Sequence, residues 1–473
     1  MACGLPWQQP HLLRVHVPAP LLCELAVSVS HEVPAAMACL QQVPDSTRWM
    51  HRLVDHPHGP TRSHANSMAS MVPARPLHDV EVVTFGEFIV RRSDGVPISD
   101  RVRGGLQRLD DDVVDLLRLG VYQLTNMGSV PAYAAIAQTV ELAKRRHGIG
   151  ASKLVNAVLR RTDRERDELN VALPPDPVEA LSLKYSHPRW LVAKWVERWG
   201  AEDAERLLTL NNAEAPLIVR PYGVVREQLE AMLEAAGVHV ADAPYVRESI
   251  VISGGITLTE LGAFKKGLFF VQDPAATLVT DYAAIESGSL VADLCAAPGG
   301  KTLELSRTAG AVFASDKSIL RLQRLLSNQR RLETPNLYPF VGDARAPAVR
   351  PLDAVLIDVP CTGTGTFRRH PDARWRLKVS DIAVMAALQK SIIRNAAKAV
   401  RVGGLLIYST CSLEPEENDE QVDAFLAGNP GWKLEPPPDG AVPKDVLDDG
   451  KLRVLPQRHG TDGAFAARLR RVA

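Results

Sequence analysis

No run of apolar residues in this 473-residue chain approaches the roughly 18 that a membrane-spanning helix needs. No secretory pattern opens it either, because His11, Arg14, His16 and several prolines interrupt what would be the apolar core of one. Cysteine is scarce, with six in all at Cys3, Cys23, Cys39, Cys295, Cys361 and Cys411. Their spacing does not resemble a disulfide framework, which disfavours a small cross-linked secreted domain and points to a reduced, cytoplasmic protein. No Cys-x-x-Cys or Cys/His spacing supports a metal site, so no metal is expected. Net charge is also missing, since 55 basic and 55 acidic residues cancel. A nucleic-acid partner must therefore be sought in local patches. What remains is the composition of a globular protein, 46% hydrophobic and 23% charged, at a length that asks for two or three domains.

The chain changes character along its length. Residues 1–78 hold most of the thirteen histidines and five of the eight methionines, with no sustained period. They read as a disordered leader or a mis-called start, and carry no assigned function. From about 105 to 168 the pattern is helical. Val113, Leu117, Val121 and Leu124 form one stripe, Ile136, Val140 and Ala143 a second, and Leu154, Val155, Val158 and Leu159 a third. Pro131 and the Gly148–Gly150 pair punctuate them. Arg160, Arg161, Arg164 and Arg166 make the bundle's end basic, the part of it that is a candidate for RNA contact. Pro174, Pro175 and Pro177 mark a linker, after which a helix is expected from Pro188 to Gly200. Trp195 and Trp199 share one face of it and are read as packing. Residues 215–275 suggest a small α+β unit with one helix at Glu227–Ala236.

From about 288 onward, strand-length apolar runs alternate with helical stretches. The runs are Leu290–Leu294, Val312–Ser315, Tyr338–Val341, Ala354–Ile357 and Leu405–Tyr408, with helices expected at 301–308, 318–331 and 381–400. This alternation implies a doubly wound parallel sheet, which binds ligands at the carboxyl ends of its strands. The first strand runs into Leu294-Cys295-Ala296-Ala297-Pro298-Gly299-Gly300-Lys301. Small residues there let a ligand approach the backbone. The adjoining glycines match neither the phosphate-loop pattern nor the dinucleotide fingerprint. Asp316, Asp343 and Asp358 follow the next three strands. A carboxylate at Asp316 suits the hydroxyls of a ribose, and one at Asp343 an adenine amino group. Together with the turn residues Cys295 to Lys301, they predict a site for a nucleoside-type cofactor.

Cys361 follows the fourth strand and Cys411 the fifth, each in a polar loop at the same edge. Spacing alone does not say which is the nucleophile. The segments DLCAAPGGKT, VGDAR, DVPCTGTGTFRRHPDARW, YSTCSLEPEEN and HGTDGAF resemble those of the Sun (Fmu) family of RNA cytosine-C5 methyltransferases. Residues 79–168 are similar to the NusB-like RNA-binding domain of that family, and YSHPRWLVAKW resembles the start of its linker region. The resemblance covers about 105–473. Thr362, Thr366 and Ala464 depart from the family's usual residues without removing a catalytic group.

The resemblance implies an α/β Rossmann-like methyltransferase with a doubly wound mixed sheet at 286–473. It implies a small α+β linker subdomain at 171–285 and an all-α NusB-like domain at 79–170. S-adenosyl-L-methionine is the implied cofactor. The implied substrate is 16S rRNA, unassembled or partly assembled, and the enzyme a monomer. Cys411 is the implied nucleophile toward C6 of cytosine, Asp358 the carboxyl facing the base edge, and Cys361 the group that releases the product. As an acid toward N3, Asp358 would need a raised pKa. Arg368, Arg369, His370, Arg374 and Arg376 follow Cys361 and are expected to meet phosphates, and Arg321, Arg324, Arg330 and Arg331 form a second basic run. A tRNA cytosine-C5 methyltransferase shares these motifs, and a non-catalytic RNA-binding assembly factor could share the fold.

Overall fold

The computed structural model describes residues 90–91, 109–166, 170–171, 173–255 and 257–473. The expected leader, 1–78, lies outside the described residues, as does most of 79–108. Contacts divide the chain into two units, Met1–Arg189 and Trp190–Ala473.

In the first unit a short strand β1 (Val90–Arg91) pairs with β2 (Asn170–Val171), and the other elements among the described residues are helices. Helix α1 (Asp111–Asn126) starts where the Asp110 carboxylate accepts from the Asp112 N–H. Helix α2 (Ala132–Arg164) is broken at Gly148, whose φ of 81° only glycine adopts cheaply. The three stripes expected from the sequence meet in one core of Val113, Leu117, Leu124, Ile136, Ala143, Val155 and Leu159. Of the basic end, Arg161 and Arg166 are tied to Glu165 and Asp163, while Arg160 and Arg164 are exposed. Helix α3 (Pro177–Tyr185) follows the proline-rich stretch, capped by Asp176.

The second unit begins with α4 (Arg189–Asn212), which continues past Gly200 but bends there, at a φ of 82°. Next come β3 (Leu217–Pro221), α5 (Arg226–Ala235), β4 (His239–Asp242), β5 (Ile250–Ser253) and β6 (Phe269–Val271). These strands form an antiparallel sheet in the order β4-β5-β3-β6, with α5 packed on one face through Leu229 and Leu233. Helix α6 (Pro274–Ala283) leads to the large sheet.

That sheet contains β7 (Leu290–Asp293), β8 (Ala311–Asp316), β9 (Leu337–Val341), β10 (Leu352–Asp358) and β11 (Val400–Thr410), all parallel, in the order β9-β8-β7-β10-β11. The order reverses between β7 and β10, so a crevice opens there beyond the strand ends. Helices α7 (Gly300–Leu305), α8 (Ile319–Arg331) and α9 (Val379–Ala396) connect the strands, close to the expected spans. Strands β12 (Trp432–Leu434), β13 (Leu447–Asp448), β14 (Lys451–Val454) and β15 (Ala464–Arg471) add antiparallel pairing beyond β11, which makes the sheet mixed. The alternation of apolar runs did not reveal these strands. Residues 464–469 are buried throughout and so show no period of two.

The small sheet is fastened to the large one by buried polar contacts. Arg220 of β3 donates to Glu304 of α7 at 3.0 Å, with both side chains at most 10% exposed. Arg331 of α8 donates to the carbonyls of Phe264 and Phe269 and lies 4.0 Å over the Phe264 ring. This part of the second basic run is therefore structural. Removing one partner of a buried ion pair leaves an uncompensated charge, at a cost of about 3–5 kcal/mol. Glu304→Ala is expected to lower the urea-unfolding stability of this unit by that order. A change under about 0.5 kcal/mol, typical of a surface site, would show the pair to be dispensable.

Candidate functional site

The site is assembled from loops at the carboxyl ends of β7, β10 and β11. After β7, the turn from Cys295 to Lys301 folds tightly because Gly299 takes a φ of 117°. A Cβ there would also come within 2.5 Å of Leu325. The Ala297–Pro298 bond is cis. Beneath the turn, Asp293 is 1% exposed and accepts from the Thr302 hydroxyl at 2.7 Å and the Cys295 N–H at 3.3 Å. Burial, and after it the neighbouring Asp358 charge, raises its pKa to about 7.

Lys301 closes the turn toward β10. Its ammonium donates to Asp358 at 2.8 Å, while the Ser409 hydroxyl donates to the other Asp358 oxygen at 2.8 Å. Burial works to lower the Lys301 pKa, but the Asp358 carboxylate outweighs it and holds the ammonium above its usual value. Asp358, proposed from the sequence as an acid, thus meets a cation at the strand end.

The two cysteines lie side by side, with Sγ atoms 3.3 Å apart. The hydrogen bond to Cys411 and then burial push the Cys361 thiol well up. Burial likewise raises Cys295. A carboxylate that the sequence reading did not single out fixes the pair. Glu417, fully buried, accepts from the Thr362 N–H at 2.9 Å and from the Gln389 amide at 2.9 Å. The hydroxyls of Thr362 and Ser412 donate to its other oxygen. Each cysteine is one residue from a Glu417 ligand, so one side chain sets both loops. Its only sequence signal is its place in YSTCSLEPEEN. Backbone crossing completes the arrangement. Gly365 donates to the Cys411 carbonyl at 3.0 Å and accepts from Gly463 at 2.8 Å.

The strand-end aspartates are separated along the edge. Asp316 ends β8, buried, accepting from the Ser318 N–H at 2.9 Å. Asp343 follows β9 and is chelated by Arg345, whose hydrogen bonds lower its pKa to about 2. A cavity of 540 Å³ lies beside the Gly-rich turn. Its wall includes Cys295 to Lys301, Asp358, Gln272, Asp273, Phe270, Arg369 and Asp462.

The cluster expected to meet phosphates is mostly internal. Arg374 is 2% exposed and donates to Asn212 at 2.7 Å and the Asn211 carbonyl at 3.0 Å, which makes it a packing residue rather than a surface cation. Arg369 bridges Asp462 and Asp273 at 2.6 Å each. Burial raises Asp462 to about 6, helped by Asp273 and opposed by Arg369. The Arg368 side chain is 7% exposed and donates to the Gly460 carbonyl at 3.3 Å. His370 is exposed, as is Arg376, which pairs with Asp372. Trp195 is fully buried and donates to Glu414, a packing role, as expected. Among the described residues no group of His, Cys, Asp and Glu could hold a metal, and no helix is long and apolar enough to cross a membrane.

Residues 282–470 match the family of 16S rRNA methyltransferase RsmB/F, 98–164 the NusB family, and 187–259 the ferredoxin-like domain of RsmF/B-like methyltransferases. The chain is 34% identical to the probable ribosomal RNA small subunit methyltransferase B of Synechocystis, over 76% of this chain and 83% of that protein. It is 36% identical to the ribosomal RNA small subunit methyltransferase B of Pseudomonas putida, over 77% and 83%. Among solved structures, a methyltransferase homologue from Pyrococcus horikoshii aligns at a TM-score of 0.53 with 26% identity, covering 63% of this chain and all of that one.

Two outcomes follow from the geometry. Arg374→Ala is expected to lower unfolding stability by about 2–3 kcal/mol, since it leaves buried acceptors unpaired. The slope of RNA affinity against salt should stay unchanged, whereas a slope reduced by about one would identify a phosphate contact. For Asp293, a folded pKa of about 7 against an unfolded value near 3.8 means that the native state holds a proton the unfolded state has lost. Stability present at pH 4 is therefore lost as pH rises toward 7. In Asp293→Asn, denaturation midpoints should fall less steeply over that window. An unaltered slope would show that Asp293 is not the titrating group.

Proposed function

Because the chain belongs to the RsmB/F family of 16S rRNA methyltransferases, we propose that it methylates C5 of a cytosine in 16S rRNA, in the cytoplasm, through a covalent bond between Cys411 and C6 of the base. The observation that carries this reading is the contact of two thiols, 3.3 Å apart, beside the Lys301–Asp358 pair at the point where strand order reverses. An S-adenosyl-L-methionine-dependent enzyme needs a pocket for that cofactor, and when bound the cofactor supplies an electrophilic methyl group on its sulfonium. The residues fit it. The cavity volume lies within the usual range for small ligands, and a buried amide donor on its wall, Gln272 Nε2, has no partner. Cys295 to Lys301 would form one wall of the cofactor site. Asp316 would hold the ribose hydroxyls and Asp343, ionised at neutral pH, would accept from the adenine amino group.

The protein's own residues divide the work on the base. C5 of cytosine is a poor nucleophile until a thiolate adds at C6 and drives electron density toward C5. By the family resemblance Cys411 is the attacking sulfur, and its thiol proton passes to solvent before the attack. Density displaced onto N3 and O2 is offset by the Lys301 ammonium, held in place by Asp358. This arrangement takes over the task for which the sequence reading asked a raised pKa at Asp358. The Asp358 carboxylate suits acceptance from the exocyclic amino group of the base. After methylation the C5 proton must leave so that the Cys411–C6 bond can break with Cys411 departing as the thiolate; Cys361 would serve as the acceptor once its own proton has passed to solvent. Of the basic cluster, His370 and Arg376 are exposed and would meet phosphates.

Bisulfite sequencing of ribosomal and transfer RNA, with and without the gene, tests the assignment. Loss of a methylcytosine from 16S rRNA is expected, and loss from tRNA alone would sink it. On denaturing gels Cys361→Ala should accumulate an enzyme–RNA adduct, and Cys411→Ala should form none. The reverse pattern would exchange the two roles.

A further inference from the structure

Gln272 presents a buried donor to the cavity with nothing to receive it. The residue is 5% exposed, and its backbone N–H is used by the Ile218 carbonyl at 3.1 Å. The Thr277 hydroxyl, itself fully buried, donates to Gln272 Oε1 at 2.8 Å, which fixes the amide's orientation. Nε2 is left without an acceptor. An unsatisfied buried N–H costs about 1–3 kcal/mol, and in a native site it marks a place that a ligand completes. The nitrogen lies against the Gly-rich turn, where a Cβ on Gly300 would come within 3.0 Å of it. The same cavity wall carries Lys301, Asp358 and Arg369.

The position narrows which ligand atom is received. Asp316 and Asp343, assigned above to the nucleoside, end β8 and β9, on one side of β7. The cysteines and Asp358 follow β10 and β11, on the other side. A ligand with its nucleoside over β8 and β9 and its methyl group facing the cysteines must pass its amino-acid arm along the turn after β7. Gln272 lines the cavity beside that turn, and the acceptor on that arm is a carboxylate. Hydrogen bonds to charged groups are the stronger kind, so a carboxylate is the acceptor that gains most from an unpaired amide N–H.

We propose that the Gln272 side-chain amide receives the α-carboxylate of the methyl donor and so fixes the reach of its amino-acid arm. This rests on the S-adenosyl-L-methionine reading above. Thr277 acts through Gln272, holding the acceptor end of the amide so that the donor end faces the ligand.

Calorimetric titration of the full chain, without RNA, tests the assignment with two ligands. S-adenosylhomocysteine carries the carboxylate, whereas 5′-methylthioadenosine has the same nucleoside and no amino acid. Gln272→Leu is expected to weaken S-adenosylhomocysteine about tenfold or more, the loss of one hydrogen bond to a charged group. Methylthioadenosine should change less than about twofold, given the local nature of the contact. Gln272→Glu, which replaces the donor by an anion at the same size, should weaken S-adenosylhomocysteine further and again spare methylthioadenosine. Equal losses for both ligands would overturn the proposal, since Gln272 would then only shape the turn. Unchanged S-adenosylhomocysteine binding in Gln272→Leu would overturn it too. If the unaltered chain bound neither ligand, the cofactor reading itself would fall.

Discussion

The Lys301–Asp358 pair spans the point where the strand order reverses, and the rest of the site is built around that bond. Lys301 ends the turn after β7, and Asp358 ends β10. In a parallel sheet these two strand ends are neighbours, yet their loops leave in opposite directions and open the crevice between them. An ion pair of 2.8 Å across that opening couples the loop that frames the cavity to the loop that carries the first cysteine. Ser409, donating to the same carboxylate, brings in β11 and with it the second cysteine. Such a pair is unlike an exposed salt bridge. Lys301 is largely removed from water, so the charge has few alternatives to Asp358.

A second carboxylate, this one buried, works at shorter range. Glu417 receives donors from both cysteine loops and from α9, and it carries no adjacent cation in this set. The two thiols are thereby placed by a group that touches neither of them. Hydrogen bonds from hydroxyls and amides substitute for water around its oxygens. The division is a physical one. Asp358 faces the crevice and interacts with what enters it, while Glu417 faces the interior and holds the loops that meet there.

Much of this was legible from residues alone, for identifiable reasons. Buried parallel strands are continuous apolar runs, and β7, β8, β9, β10 and β11 each lie on one. Polar residues that interrupt such runs fall at strand ends, which is how Asp316, Asp358, Cys361 and Cys411 came to be grouped at one edge. The antiparallel strands beyond β11 were not legible, because burial on both faces erases alternation. Nor was the pairing of the basic cluster. Composition reports that Arg369 and Arg374 are charged, but their partners Asp462, Asp273 and Asn212 lie 93, 96 and 162 residues away in sequence. The role of Gln272 was hidden for a similar reason. It lies on the small sheet's exit, and only folding brings it against a turn that begins more than twenty residues later.

The crossing of Gly365 and Gly463 bears on how this site can change. A Cβ on Gly365 would stand 2.8 Å from the Gly463 Cα and 2.7 Å from the Cys411 carbonyl, and one on Gly463 would stand 2.9 Å from the Gly365 Cα. Three loops from separate parts of the chain thus share one contact with no side chain to spare. None of them can lengthen, or trade its glycine for a larger residue, without displacing the other two. Grafting a single loop from a relative with a different substrate would carry half of a fitted joint. Substrate preference in this scaffold is therefore freer to drift on the surrounding surfaces, such as the exposed stretch around His370, than at the joint that aligns the two sulfurs.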